Sequence, residues 1–295
     1  MILRSRWKNG CAAGRLAGIT FAIICGGVGV AAQDRPLQTA DAEIVAPGDV
    51  RLQGGIDFLH NQNFPLAGLT GDLTNVGTIG VRIGVARIVE IQVQGIAQEF
   101  LSINSRGPSA IPLSLTGTNS THDVGDFSLS AKIRLMGQEG RRPSLGFRFG
   151  YQMPNSNQAK GIGTNTTNIF ADIIGERKFG KLKAFGNVGL EILQSPNALF
   201  SQNDELHYGA ALSYEATKHV HVVAEVNGRY SSRKITTALL GTESHGQGRF
   251  GLQIEAGGFT WDFAGIAGVN KADARGGFTF GVTKDIHLFH SKKNP

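Results

Sequence analysis

The 295-residue chain has only two cysteines, Cys11 and Cys25, and both lie close to its N-terminus. A chain processed beyond them carries no thiol and cannot rest on disulfides. Proline is scarce, at 9 residues, and the 41 glycines show no three-residue period, so a collagen-like rod is excluded. Charge is low as well: Asp, Glu, Lys and Arg make up 18% of the chain, against the ~25% of an average soluble protein. A bundle of membrane helices is excluded, because no apolar run reaches the ~20 residues a spanning helix needs. A hydrophobic content of 41% excludes a disordered polar chain. The net charge of +6 loses its meaning once its origin is traced. Arg4, Arg6, Lys8 and Arg15, with no acidic residue among them, lie in the first 32 positions; without them 25 basic residues face 23 acidic ones, or +2. No nucleic-acid partner is expected.

What the N-terminus does contain is an export leader. Those four basic residues precede an apolar run from Leu16 to Val30, and Val30-Ala31-Ala32 offers the small-x-small pattern that a signal peptidase cleaves. Residues 1–32 are expected to be removed, leaving a mature chain that starts near Gln33. The run is too short and too glycine-rich for an anchor. Cys25 is a poor lipidation site, because Ile24 stands where a small residue should precede it.

Beyond about residue 50 the pattern has period two, which places alternate side chains on opposite faces of a strand. Phe127, Leu129, Ala131, Ile133 and Leu135 alternate with Ser128, Ser130, Lys132 and Arg134; Phe259, Trp261 and Phe263 alternate with Thr260 and Asp262. Twelve strands are predicted, near 50–59, 78–87, 89–100, 124–136, 144–152, 166–178, 181–193, 204–215, 219–231, 246–256, 259–268 and 276–288. Their connections alternate between long (60–77, 101–123, 153–165, 194–203, 232–245, 269–275) and short. That asymmetry, an even strand number and strands of about ten residues belong to a bacterial outer-membrane barrel. The expected fold is therefore all-β: one transmembrane antiparallel barrel over residues 49–289, both termini in the periplasm, and a tail at 290–295. Residues 33–48 do not alternate and contain Pro36 and Pro47. They are expected to lie in the periplasm or to be tucked into the lumen as a plug.

If the apolar face meets lipid, the polar face lines the lumen. It collects Arg82, Glu90, Lys132, Arg134, Arg148, Asp172, Lys183, Glu191, Glu225, Arg229, Arg249, Glu255 and Asp262, together with Asp57 and Glu176. Seven basic residues against eight acidic ones point to ion pairs across a narrow bore rather than to strong ion selectivity. Phe58, Phe100, Tyr151, Tyr230 and Phe289 fall at strand ends, where aromatic girdles form.

Arg35-Pro36-Leu37-x-Thr39-x-Asp41-Ala42-x-x-Val45-x-Pro47-Gly48, leading into a strand with Gly55 and Phe58, resembles the start of the outer-membrane "MetA-pathway of phenol degradation" transporter-like family. Gly125-Asp126, Gly150-Tyr151-Gln152-Met153-Pro154, Asn187-Val188-Gly189 and Tyr208-Gly209-Ala210-Ala211 fit the same likeness. The resemblance implies an outer-membrane channel for small molecules, hydrophobic or aromatic ones among them, with no catalytic residues to transfer. Phe278, Phe280, Val282, Ile286 and Leu288 on the last strand resemble the signal read by the barrel assembly machinery, although Phe289 falls out of parity with them.

No enzyme is expected. An outer-membrane phospholipase would carry His-x-Ser-Asn-Gly-Arg; here Ala224 and Val226 replace the two catalytic groups ahead of Asn227-Gly228-Arg229. His219 and His221 share a face, but two imidazoles make an incomplete metal site. Gly161-Ile162-Gly163 lacks the third glycine and the strand-turn-helix setting of a dinucleotide site. Neither a metal nor a cofactor is expected. The expected partners are outer-membrane lipid, the assembly machinery and an unidentified small solute. The rival to a diffusive channel is a closed barrel whose outer loops bind a partner.

Overall fold

The structure is a computed structural model that describes residues 35–288 apart from 116, 235, 237 and 238. The leader, Phe289 and the tail lie outside the described residues. Strands are β1 (Asp49–Phe64), β2 (Leu69–Ala86), β3 (Val89–Arg106), β4 (Ser120–Asp123), β5 (Ser128–Met136), β6 (Ser144–Gln152), β7 (Asn168–Phe179), β8 (Leu182–Gln194), β9 (Gln202–Thr217), β10 (Val220–Ser231), β11 (His245–Ala256), β12 (Phe259–Gly268) and β13 (Gly276–His287). Each pairs antiparallel with its neighbours, and β1 pairs with β13 from Asp49↔His287 to His60↔Gly276, which closes the wall. Closure leaves no unpaired backbone edge to face hydrocarbon. Twelve strands make the barrel. The short β4 falls in the stretch 101–123 expected to be a connection; it pairs with Glu99–Ser102 of β3, while β5, within the strand predicted at 124–136, pairs with Val89–Gln94.

Five connections are short, at 87–88, 137–143, 180–181, 218–219 and 257–258, and the start of β1 and the end of β13 lie at that end of the barrel. The opposite end carries the longer loops. One connection predicted as long is not: β1 and β2 run on to a turn at 65–68, so most of 60–77 is strand. The reason is a change of face. Buried positions on β2 are even from Gly80 to Gly84 but odd from Leu69 to Asn75, and the switch falls at Gly77, whose φ of 68° suits glycine. Beyond it β1 to β3 project past the width a bilayer needs. Their inward Leu69, Leu73 and Leu101 pack with Ala67, Leu115 and Ile162 from the loops into a small apolar core. Gly161 follows a 3-10 turn at Gln158–Lys160 with φ 79° and belongs to that loop cover.

The outer surface is the apolar face. Ile173, Leu190, Val226, Phe250 and Phe263 are about half exposed, as are Phe58, Phe100, Tyr151 and Tyr230 near the strand ends. Aromatic rings meet across the β12–β13–β1 seam, with the Phe58 and Phe278 centroids 4.8 Å apart. No helix among the described residues is long and apolar enough to cross a membrane; the crossing is made by strands.

Candidate functional site

The interior is polar, and strand register fixes who meets whom. One row of facing residues runs Glu90↔Lys132↔Arg148↔Asp172↔Gly189↔His207↔Arg229↔His245 from β3 to β11. Opposite charges meet at Glu90↔Lys132 and at Arg148↔Asp172. Arg148 meets Asp172 at 2.6 Å, and His207 reaches the other oxygen of Asp172 at 2.9 Å, over the bare backbone of Gly189.

Residues 35–48 run through this interior, and their polar groups find partners on nearly every side. The Gln38 and Thr39 amides donate to the Glu225 carboxylate, at 2.8 Å in each case to one of its oxygens. The Ala40 amide donates to Asn187, Ala42 to Glu176 at 3.0 Å, and Val45 to Glu90 at 2.7 Å. Arg249 donates to the Pro36 carbonyl at 2.8 Å. The Asp41 side chain is fully buried and joins two lysines, with Lys183 at 2.8 Å and Lys132 at 3.3 Å. Such carboxylate-to-amide and lysine-to-carboxylate bonds are the charge-assisted kind, about twice as strong as neutral ones. Three apolar side chains complete the seat: Leu37 packs on Phe185, Ala211 and Val223, and Ala40 and Ala42 pack on Ile174.

Arg35 is held differently. Its guanidinium lies against Gly55 and Gly281, which face each other across β1 and β13; a Cβ at either would fall within 2.4 Å of a guanidinium atom. It donates to Thr78 and to Thr279, the latter at 2.7 Å, and lies 3.4 Å from Asp262.

The thirteen predicted lumen residues fall into groups. Arg82, Glu90 and Lys132 form one cluster, with Lys132 to Glu90 at 3.0 Å and Arg82 to Glu90 at 3.7 Å. Lys183 joins it through Asp41; Arg148 pairs with Asp172, Arg249 with Glu225 at 3.6 Å, and Asp262 with Arg35. Arg229 pairs at 3.3 Å with Glu205, a buried carboxylate that the sequence reading passed over although it alternates with Asn203 and His207 on one face of β9. Glu191 lines an open cavity. Two stand apart near the short-turn end: Arg134 donates to the Arg87 carbonyl, and Glu255 is half exposed, 4.0 Å from His221. Among the described residues no cluster of three or more His, Cys, Asp or Glu side chains is placed to hold a metal ion.

On the loop side of the inserted segment is a cavity of about 350 Å³ whose floor includes Gln38 and Thr39 and whose wall includes Asn187, His207, Arg229 and His245. A second space of about 90 Å³, under loop residues Thr164, Pro196 and Gly241, shares Arg229 with it. At the loop end Asp273 accepts from the Gly246 and Asn270 amides at 2.9 and 3.0 Å and from His245 at 2.7 Å. Burial pushes the Asp273 carboxyl up, but the His245 and backbone hydrogen bonds outweigh it and hold the group below the usual carboxylate range.

A closed twelve-stranded wall with an apolar outer belt and a charged interior defines an integral outer-membrane β-barrel, in contact with lipid around its girth. The chain belongs to the family described as "Putative MetA-pathway of phenol degradation", which matches residues 33–285. Among solved structures it is similar to the COG4313 outer membrane channel from Pseudomonas putida F1, at 13% identity and a TM-score of 0.61, over 85% of this chain and all of that one. The translocator domain of the autotransporter NalP from Neisseria meningitidis is also similar, at 13% identity and a TM-score of 0.47, over 82% of this chain and 90% of that one. No curated protein matches the sequence.

Proposed function

We propose that this protein is a diffusive outer-membrane channel for small solutes, and that residues 33–48 are its plug. The observation that carries the reading is that the bore is lined by charged and amide side chains and filled by a chain segment rather than by the wall's own side chains. A barrel built only as a structural wall has no need of a hydratable interior. In this reading the short-turn end faces the periplasm and the plug enters from that side, residues 1–32 are the export leader, and 290–295 form a periplasmic tail. The phenol-degradation description and the similarity to a channel favour aromatic or apolar cargo. No catalytic role is assigned. The balance of paired charges in the lumen supports a pore of weak ion selectivity.

The test is conductance of the refolded mature protein in a planar bilayer beside a form lacking residues 35–46. The expected result is small or rare steps for the intact protein and larger, stable steps for the deletion. A folded deletion form that conducts no more than the intact one overturns the plug. If both forms are folded and silent, the channel falls as well, and the closed, loop-binding barrel stands.

A further inference from the structure

The cavity above the inserted segment carries chemistry that a plain water-filled vestibule does not need. His207 and His245 flank Arg229 in one register row, and both line the cavity. Each imidazole is fixed through Nδ1 to a carboxylate, Asp172 at 2.9 Å and Asp273 at 2.7 Å. A ring nitrogen that faces a carboxylate carries the proton, so in the neutral ring Nε2 keeps its lone pair. Neither Nε2 has a hydrogen-bond partner among the described residues. Thr39 on the cavity floor is 2% exposed, and its buried hydroxyl has no partner among the described residues.

The charge around the cavity selects against anions. Arg229 is countered by Glu205 at 3.3 Å, Asp172 by Arg148 at 2.6 Å, and Asp273 by two backbone amides. That leaves Glu191 in the wall without a basic partner among the described residues, which repels carboxylates and phosphates. The Asn187 amide and the Arg229 guanidinium remain to hold the acceptor side of a bound hydroxyl.

We propose that this cavity is a binding site for an uncharged solute bearing hydroxyl groups, with the Nε2 atoms of His207 and His245 accepting its hydroxyl protons and Thr39 closing the floor. The site deepens the channel reading by naming the chemistry of the cargo, and it rests on that reading. Its test is equilibrium binding, which needs no flux. Calorimetry on the full mature barrel in detergent, with catechol as probe, is expected to show saturable binding. 1,2-Dimethoxybenzene keeps the ring and the oxygens but has no donor, and it should bind at least tenfold more weakly, as should benzoate. In a His207→Leu/His245→Leu variant that remains folded, catechol should weaken at least tenfold. Cyclohexane-1,2-diol separates the two sources of the same chemistry: binding equal to catechol supports a general hydroxyl site, and weaker binding supports an aryl hydroxyl site. Equal binding of the dimethyl ether, tighter binding of benzoate, or unchanged catechol binding in the folded double variant overturns the proposal. Should the double variant fail to fold, the ranking on the wild-type barrel decides. Absent catechol binding in a conducting barrel sinks the site and spares the channel; catechol binding in a silent barrel does the reverse.

Discussion

The residue that ties the interior together is Asp41. It is fully buried between Lys132 and Lys183, and neither lysine has water enough around it to stand alone. Replacing its carboxylate with a neutral amide leaves the positive groups of that cluster with Glu90, Glu176 and Glu43. Asp41→Asn is expected to cost about 2 kcal/mol. The check is the denaturant midpoint of the refolded mature protein, read by Trp261 fluorescence; an unchanged midpoint would show that the segment contributes nothing to stability. The charged wall residues were legible because alternation alone sorts a strand into two faces. Asp41 was not, although it sits in the motif that carried the family likeness, because its segment has no period from which a face can be read. A signal was nonetheless present. Ile174, Phe185 and Val223 are apolar residues on the polar face of their strands, and they are where Leu37, Ala40 and Ala42 come to rest. An apolar residue on the wrong face marks the seat of something inserted.

Among elements, the strands whose two faces differ most were placed to within about two residues, as at Ser144–Gln152 and Phe259–Gly268. The failures lie where that contrast disappears. His60–Phe64 and Leu69–Gly77 pair as strand but project beyond lipid, so neither face needs to be greasy, and their polar residues imitate a loop. Face assignment also says less about crowding than about direction. Ser130, on the polar face of β5, is buried, donates to Gln92 and sits against Gly150 across β5 and β6, leaving no room for a longer side chain. The last loop offers a pH test. Asp273 fastens residues 269–275 to the start of β11, and its carboxyl titrates below its unfolded value. A depressed group adds stability that is fully present above the unfolded carboxylate value of about 4 and is lost as pH falls through the folded one. Loop proteolysis at Lys271 or Arg275 is therefore expected to be flat from pH 7 down to about 4 with an acid-tolerant protease, and to rise below it. An equal rise in Asp273→Asn and wild type would show that the clasp is not the cause.

For the whole molecule, the decisive property is inversion: the greasy surface is outside and the ionic one inside. Stability therefore depends on the medium around the belt. Ile173 lies midway along β7 and is 49% exposed on the outer face. Ile173→Arg is expected to destabilise the barrel in a bilayer by about 2–4 kcal/mol, as a charge near the membrane midplane does. Leu199→Arg, on the loop 195–201, should change stability by no more than about 0.5 kcal/mol. Equal effects of the two, measured by unfolding from liposomes, would mean that the belt is misplaced. The fold as a whole was legible because closure, loop asymmetry and alternation all express one constraint, the satisfaction of backbone groups in lipid.

The seat of Arg35 has a consequence for the order of events. Its pocket is shared between Gly55 on the first strand and Gly281 on the last, with Thr279 beside it. Half of that pocket thus comes from the last strand of the wall, although the arginine itself precedes the first. Until β13 docks on β1, the arginine's seat is incomplete. Closing the wall and completing the seat of Arg35 are consequently a single event.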